Sequence, residues 1–224
     1  MIWENLVSIK HQIEELFNEN LQPYQEIGLD RFNKENWLNL TWKSDKFRRA
    51  HIDVVDAREN KKLWMMHVCI FPDLKSGAPI YGFDVIAGKN KVTGAFHDFS
   101  VVDPKHMAND KFEQFVSDTK WKKERELPEW AKAIFSENMV AAGNLSDVSE
   151  MDQLKSLVMN TTKWYLEEMP VFDGYHEGYD ATDIHNRYAY YQKQNPHTPR
   201  TMKSLGLNEE DVDIFVSKCL FPEI

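Results

Sequence analysis

Apolar residues near the N-terminus recur every three or four positions, which is the spacing of one face of an amphipathic helix. These apolar positions are Leu6, Ile9, Ile13, Leu16 and Phe17. The spacing predicts a first helix over residues 3–19. Pro23 and Gly28 then mark a loop.

From residue 37 to residue 102 the apolar pattern becomes that of β-strands, whose successive side chains point to opposite faces. The predicted strands cover residues 37–42, 47–55, 63–71, 80–87 and 92–102. Short polar turns join several of them, and a loop rich in proline, glycine and lysine spans residues 72–79. Such short connections favour an antiparallel meander over a βαβ fold.

Helical patterns return in the last part of the chain. The predicted helices are 111–120, one starting near 128, 150–169, 184–194 and one starting at 208. Ser149 is expected to cap the third of these, and Pro196 follows the fourth. Residues 173–180 are predicted to form an acidic, aromatic loop. Because both faces of the predicted sheet carry apolar residues that need cover, we expect an α/β fold: a three-layer α/β/α sandwich with a central antiparallel meander sheet.

The composition fits one sizeable core, since 42% of the 224 residues are hydrophobic and 12% are aromatic. We therefore expect residues 1–224 to form a single domain. The mean hydropathy is −0.58, and no apolar run approaches the ~18 residues of a membrane span. The N-terminal segment lacks the features of a signal peptide. These observations predict a cytoplasmic protein that contacts no membrane, with Cys69 and Cys219 reduced and buried.

The formal net charge of −9 argues against general nucleic-acid binding, which needs a basic footprint. Two local basic clusters nevertheless occur. The first basic cluster is Lys43, Lys46, Arg48 and Arg49, and the second basic cluster is Lys120, Lys122, Lys123 and Arg125. Taken alone, each is more typical of a solvated face than of a binding site.

Motifs for common cofactors are missing from the sequence. It contains no GxGxxG fingerprint, P-loop, GxSxG elbow, HExxH or CxxC, and so gives no sign of a bound nicotinamide, flavin, nucleotide or zinc ion. The predicted meander does carry a set of acids and histidines. They are His51, Asp53, His67, Asp84, His97 and Asp98.

His67 and Asp84 lie within apolar runs on two strands that the 72–79 loop joins. A charge in such surroundings is costly unless it is paired, hydrated or neutralised. A His–Asp group can hold and deliver protons near neutral pH, whereas the structural interpretation is a satisfied hydrogen bond in the core. Metal binding by these two residues with His51 and Asp53 is a rival, disfavoured because no ligand pair has a motif-like setting. An Asp/His hydrolase is disfavoured because no nucleophile lies beside His67.

Five stretches of the sequence resemble the ferredoxin-dependent bilin reductases, and within them the phycocyanobilin:ferredoxin oxidoreductase branch. They are FRRAHIDV at 47–54, MHVCIFPDLKSGAPIYGFDVIAGKNKVTGAFHDFS at 66–100, LPEWAKAIFSE at 127–137, RYAYYQKQN at 187–195 and VSKCLFPEI at 216–224. Their order and spacing extend the resemblance over nearly the whole chain. The segment from His67 to Asp84 is its most specific part.

The resemblance implies an α/β/α sandwich that binds biliverdin IXα between the sheet and the C-terminal helices. It implies no bound metal or organic redox cofactor, and reduced ferredoxin as an external donor of single electrons. The pigment then passes through radical states, and the protein positions it and supplies protons. We further expect a monomer with no nucleic-acid partner.

Residue by residue, the resemblance makes Asp84 the proton donor to the bilin and His67 its relay partner. His51 corresponds to a second histidine linked to that relay. Asp53 stands where the phycocyanobilin branch has a glutamate near the A-ring vinyl group, so its carboxyl is withdrawn by about 1.5 Å, one C–C bond. Thr93 corresponds to a serine that holds a propionate.

Other positions depart from the family pattern. Asn195-Pro196 stands in place of an Asn-Asp pair, His197 replaces a lysine, and Gly143 lies near the position of a propionate-binding arginine. Candidates to replace the lost cations are Arg187, Arg200 and Lys203. The residues that we expect at the substrate are Thr93, Asn195, His197 and Arg200.

At these positions the chain resembles phage-type relatives that form phycoerythrobilin. We therefore expect a four-electron reduction of biliverdin IXα to phycoerythrobilin, in the cytoplasm of a cyanobacterium or of a phage-infected host. Phycocyanobilin as the product, or a bilin carrier without activity, are the alternatives.

Overall fold

The computed structural model describes residues 2–173 and 178–224. In these residues seven strands form one antiparallel sheet, and each strand pairs with its neighbours in chain order. The strands are β1 (Gln22–Tyr24), β2 (Trp37–Lys43), β3 (Phe47–Ala57), β4 (Leu63–Pro72), β5 (Ile80–Ala87), β6 (Val92–Ser100) and β7 (Val140–Ala142). The predicted meander is confirmed. The short edge strands β1 and β7 were not predicted, because three residues are too few to show an alternating pattern.

Helices cover both faces of the sheet. They are α1 (Ile2–Asn20), α2 (Arg58–Lys61), α3 (Met107–Val116), α4 (Glu129–Lys132), α5 (Val148–Glu167), α6 (Met169–Phe172), α7 (Thr182–Gln192), α8 (His197–Ser204) and α9 (Glu209–Ile214). A π-helical turn, Phe215–Leu220, continues directly from α9. The α/β class and the three-layer sandwich are therefore confirmed. None of the helices in the described parts of the chain is long and apolar enough to span a membrane.

The first layer is α1 packed beside α5. Their apolar faces share a core with the sheet residues Ala50, Ile52 and Val54. The predicted apolar stripe of α1 is buried, except that Leu16 is only partly buried. This layer covers the face of the sheet opposite to the candidate site.

The other layer consists of α7, α8, α9 and the π-helical turn. It shares a second core with Val55, Cys69 and Phe71, which point to the opposite face of the sheet. The alternation along β3 predicted from the sequence is therefore confirmed: His51 and Asp53 face this layer, and their neighbours face α1 and α5.

Several predicted helix ends were wrong, because capping side chains set the actual ones. The cap of α5 is Asp147, whose side chain accepts a hydrogen bond of 2.8 Å from the Ser149 amide, so α5 begins two residues before the predicted start. The Nδ1 atom of His106 accepts from the Ala108 amide at 3.2 Å and starts α3 at residue 107, not 111.

The helix predicted to start at 208 begins at Glu209, and Asn208 is its cap, since the Asn208 side chain accepts a hydrogen bond from the Asp211 amide at 2.9 Å. Helix α7 begins two residues before the predicted start, at Thr182. Of the predicted loop 173–180, residues 174–177 lie outside the described part of the chain.

Candidate active site

Strand register brings three ionisable side chains into one row across the sheet. Asp53 on β3 is the cross-strand partner of His67 on β4, and His67 is the partner of Asp84 on β5. Cross-strand partners point to the same face, so all three side chains face the helical layer of α7 to α9. His51 precedes Asp53 by two residues and shares that face.

His67 and Asp84 form a hydrogen-bonded ion pair, with His67 Nδ1 2.9 Å from Asp84 Oδ1. The histidine is buried, whereas the aspartate side chain is 42% exposed to the cavity. Burial alone would lower the pKa of His67, but the Asp84 carboxylate outweighs it and raises the pKa to about 10. At neutral pH the pair is therefore an imidazolium against a carboxylate. This arrangement stores a proton next to an accessible acid.

Asp53 is the second acid of the row, and only 2% of it is exposed. Burial raises its pKa to about 7, although Trp37 donates a hydrogen bond from Nε1 to Asp53 Oδ1 at 2.7 Å, which favours the carboxylate. The carboxyl group therefore titrates near neutral pH. A group with such a pKa can both give and take a proton under physiological conditions.

His51 is a neutral histidine next to this row. Its Nε2 lies 3.1 Å from Asn39 Oδ1, and its ring centroid lies 6.1 Å from that of His67. Burial, reinforced by the positive charges of Arg49 and His67, holds the pKa of His51 well below its usual value. His51 is therefore neutral at physiological pH, and its Nδ1 is buried without a hydrogen-bond partner among the described residues.

The row lies in a cavity of about 420 Å³ between the sheet and the helices. Apolar side chains form most of its walls, among them Met65, Ile86 and Phe96 from the sheet and Met202 and Phe221 from the helical layer. The Phe221 ring packs edge-on against His67, with 5.4 Å between the ring centroids. Such a concave, largely apolar cavity with a few convergent polar groups is typical of a small-molecule site.

The predicted substrate residues are only partly brought together. Asn195 and His197 line the cavity, and Asn195 Oδ1 accepts a hydrogen bond from the His197 amide at 3.0 Å. Thr93 and Arg200 do not line it. The Thr93 hydroxyl donates to the Ile86 carbonyl at 3.0 Å, and Arg200 is exposed on α8.

The remaining acid and histidine of the meander lie outside the cavity. His97 is on the opposite face, hydrogen-bonded to the Gly82 carbonyl and the Thr161 hydroxyl, and burial lowers its pKa to about 4. Asp98 accepts hydrogen bonds from Ser136 and Ser100. His97 and Asp98 are therefore buried side chains whose hydrogen bonds are satisfied within the core. No group of three His, Cys, Asp or Glu side chains in the described residues, the row around His67 included, is placed to hold a metal ion.

The first basic cluster does not form an exposed patch. Arg49 is 3% exposed, with its guanidinium paired to Glu26 and donating to the Cys219 carbonyl at 2.6 Å. Arg48 lies over the Phe71 ring and donates to His185 Nδ1. Both arginines therefore contact the helical layer of α7 to α9, because the irregular pairing between Phe47 and Arg49 interrupts the regular alternation of β3.

Sequence reasoning missed three residues that shape the site. Trp37 and Asn39 hold Asp53 and His51, and Arg125 lines the cavity. Trp37 and Asn39 lie on the predicted strand next to β3, and their separation by two residues places them on one face. Arg125 gave no such signal, because it belongs to a segment outside the predicted elements.

The fold and the site define an antiparallel sandwich that encloses a pocket with acids and histidines in contact. The model of the family described as ferredoxin-dependent bilin reductase matches residues 6–222. The chain belongs to this family and is an oxidoreductase.

Three known proteins illustrate the similarity. The chain is 25% identical to phycocyanobilin:ferredoxin oxidoreductase of Prochlorococcus marinus (strain MIT 9515), over 97% of this chain and 91% of that enzyme. The solved structure of PcyX is 36% identical with a TM-score of 0.70, and the match covers 98% of this chain and 99% of PcyX. Phytochromobilin synthase from tomato, solved in complex with biliverdin, is 15% identical with a TM-score of 0.71. The match covers 95% of this chain and 81% of the tomato enzyme, and it shows the shared fold.

Proposed function

We propose that this protein reduces biliverdin IXα by four electrons to phycoerythrobilin. Four reduced ferredoxins each give one electron, and four protons reach the pigment through the protein, so that two double bonds become saturated. The observation that carries the proposal is the row Asp53–His67–Asp84 at the wall of an apolar cavity. The family membership and the biliverdin bound in the tomato enzyme support the choice of substrate.

In this proposal Asp84 delivers protons to the bilin and His67 resupplies it. Asp84 is the exposed member of the pair, and His67 holds a proton 2.9 Å away at neutral pH. As the pigment gains an electron its basicity rises, and the proton held on His67 passes to the Asp84 carboxylate and from there to the pigment, which leaves His67 neutral until it is protonated again. His51 exchanges with this relay through His67.

Asp53 is proposed to govern the A-ring chemistry. Its carboxyl titrates at about 7, so it is available in both protonation states. It is one methylene shorter than the glutamate expected from the resemblance, and Trp37 holds it back with a 2.7 Å hydrogen bond. A proton source withdrawn in this way disfavours reduction of the 18-vinyl group, and so favours phycoerythrobilin over phycocyanobilin.

Asn195 and His197 are proposed to contact the pigment at the cavity wall, where both are placed. Thr93 and Arg200 do not line the cavity, so any part that they play in binding the pigment lies outside its walls. The chain is proposed to act as a monomeric, single-domain cytoplasmic protein without a bound cofactor of its own.

An anaerobic assay with biliverdin, ferredoxin and a reducing system tests this function, with absorbance spectra and product chromatography as the readout. Phycoerythrobilin is the expected product. Phycocyanobilin would show that Asp53 still acts as the glutamate does. A coloured complex that reduced ferredoxin leaves unchanged would identify a carrier and overturn the proposal.

A further inference from the structure

Arg125 is held at the mouth of the cavity by a short extension of the sheet. The segment before it pairs with β7: the Arg125 amide donates to the Ala141 carbonyl at 2.8 Å, and the Gly143 amide donates to the Lys123 carbonyl at 2.9 Å. These two bonds fix the Cα atom of Arg125 at the sheet edge. The side chain is therefore anchored on regular structure rather than on a free loop.

The Arg125 side chain then crosses β7 and β6 in a trough that two glycines leave open. A Cβ atom at Gly143 would lie 2.9 Å from Arg125 Nε and 3.2 Å from its Cγ. A Cβ atom at Gly94 would lie 3.7 Å from Arg125 Cζ. The guanidinium donates from Nη2 to the Thr93 carbonyl and lies 5.9 Å from the centroid of the Phe96 ring. The absence of a side chain at Gly143 is thus what allows Arg125 to reach the cavity.

The charges around the cavity are arranged asymmetrically. Its wall on the central strands carries Asp53, His67 and Asp84, whereas Arg125 is the sole lysine or arginine that lines it in the described part of the chain. No ion pair joins Arg125 to an acid among the described residues, although Glu126 also lines the cavity. The guanidinium therefore has donors free for an anionic group of a ligand.

We propose that Arg125, lying in the space that Gly143 leaves open, binds a carboxylate of the ligand that fills the cavity. Guanidinium groups match carboxylates with two parallel hydrogen bonds. Biliverdin carries two propionate carboxylates, so this inference rests on the proposed function and names a residue for one of them. It assigns to Arg125 the role that the resemblance gave to an arginine near Gly143.

A binding experiment with two forms of the pigment tests this role. Titration of the protein with biliverdin and with its dimethyl ester, followed by absorbance without ferredoxin, compares a ligand with and without carboxylates. Arg125→Met keeps the aliphatic chain and removes the charge. We expect it to raise the Kd for biliverdin by roughly fivefold at low salt and the Kd for the ester by less than roughly twofold.

Two further variants separate charge from shape. Gly143→Ala leaves Arg125 in the sequence but displaces its side chain, and is expected to weaken biliverdin binding selectively as well. Arg125→Lys is expected to restore part of the selectivity, because it keeps the charge without the fork. Lys132→Met is the matched control, since it removes an equal charge from a neighbouring exposed position outside the cavity and should leave both Kd values unchanged.

The outcomes distinguish an error in the assignment of Arg125 from a failure of the proposed function. If Arg125→Met weakens the binding of biliverdin and of the ester equally, or weakens the binding of neither, the assignment of Arg125 is wrong while the proposed function stands. If the unmodified protein binds neither pigment, the proposed function itself fails. Far-ultraviolet circular dichroism and thermal melting of each variant exclude unfolding as the cause of weaker binding.

Discussion

Three adjacent residues create the chemistry of this site because burial and pairing act on them in opposite directions. Burial pushes the pKa of Asp53 up to about 7, whereas the Asp84 carboxylate overrides burial and raises the pKa of His67 to about 10. His51, buried near positive charge and without a carboxylate, has a pKa shifted the other way. The same residue types thus acquire different protonation states from their immediate partners.

Asp84→Asn tests the proposed proton donor. The amide keeps the shape of the side chain but has no titratable proton, so we expect biliverdin to bind while reduction stops at odd-electron states. Electron paramagnetic resonance and absorbance under anaerobic conditions measure their accumulation. Asp118→Asn, an exposed position outside the cavity, serves as the control. Normal turnover in the Asp84 variant would refute its role.

The His67–Asp84 pair should also appear in the pH dependence of stability. The pKa of His67 in the folded protein, about 10, lies above its ordinary value of 6.5, so the folded state holds an extra proton between these limits. The stabilisation is complete below pH 6.5 and is lost as the pH rises to 10. Urea unfolding between about pH 7.5 and 9.5 should show the free energy of unfolding falling by at most about 1.4 kcal/mol per pH unit.

This pH window isolates His67 from the other buried histidines. The pKa values of His51, His97 and His185 are lowered, so their contribution changes only at lower pH. In Asp84→Asn the burial of His67 is no longer opposed, its pKa falls, and the decline between pH 7.5 and 9.5 should flatten. An unchanged slope in the variant would show that the pair does not hold the extra proton.

At the scale of elements, the sequence predicted the strands and their faces but not their register. The alternation of β3 placed His51 and Asp53 together, and the short connections predicted the meander. That Asp53, His67 and Asp84 fall in one row depends on pairings that a one-residue slip would reverse. Irregular pairing between Phe47 and Arg49 contributes to that register, and no local pattern reveals it.

The contribution of loop segments to the site could not be predicted from the sequence pattern either. Arg125 belonged to a basic cluster by sequence, but its position over Gly143 depends on pairing between distant segments. Arg49 belonged to the other cluster and is buried, because it points inward from β3. A count of charges along the chain cannot distinguish these cases, since burial is decided by the strand face.

Arg49 joins three elements, and Glu26→Gln tests this connection. Its guanidinium pairs with Glu26 after β1 and with the Cys219 carbonyl of the π-helical turn. Removing the carboxylate leaves a buried cation without its counter-charge. We expect the free energy of unfolding to fall by about 2 kcal/mol, less than for a fully buried pair because the Glu26 side chain is 21% exposed.

Chemical denaturation measures this loss, with Glu113→Gln on the exposed side of α3 as the control. Because the π-helical turn leads into Phe221 beside His67, the Glu26 variant should also weaken pigment binding. Unchanged stability would mean that water replaces the carboxylate at no cost.

At the scale of the whole molecule, charge decides where an acidic electron donor can dock. The net charge of −9 repels such a partner, so docking needs a local basic surface. The first basic cluster is excluded because Arg48 and Arg49 are largely enclosed. The lysines of the second basic cluster are exposed, although Lys122 is paired with Asp147. They continue directly into Arg125 at the cavity mouth, which would bring the donor close to the pigment.

The double variant Lys120→Gln, Lys123→Gln tests this docking surface. Removing two exposed charges slows the encounter with ferredoxin, so kcat/KM for ferredoxin should fall severalfold at low ionic strength while the Kd for biliverdin stays constant. The difference from the unmodified protein should shrink as salt rises, because exposed charges are screened over about 10 Å at 0.1 M. Lys43→Gln, at an exposed lysine of the first basic cluster, is the control.

A rate that does not depend on salt in the unmodified protein would contradict electrostatic docking altogether. A loss that persists at high salt would instead point to a short-range contact between these lysines and ferredoxin, which salt screens less.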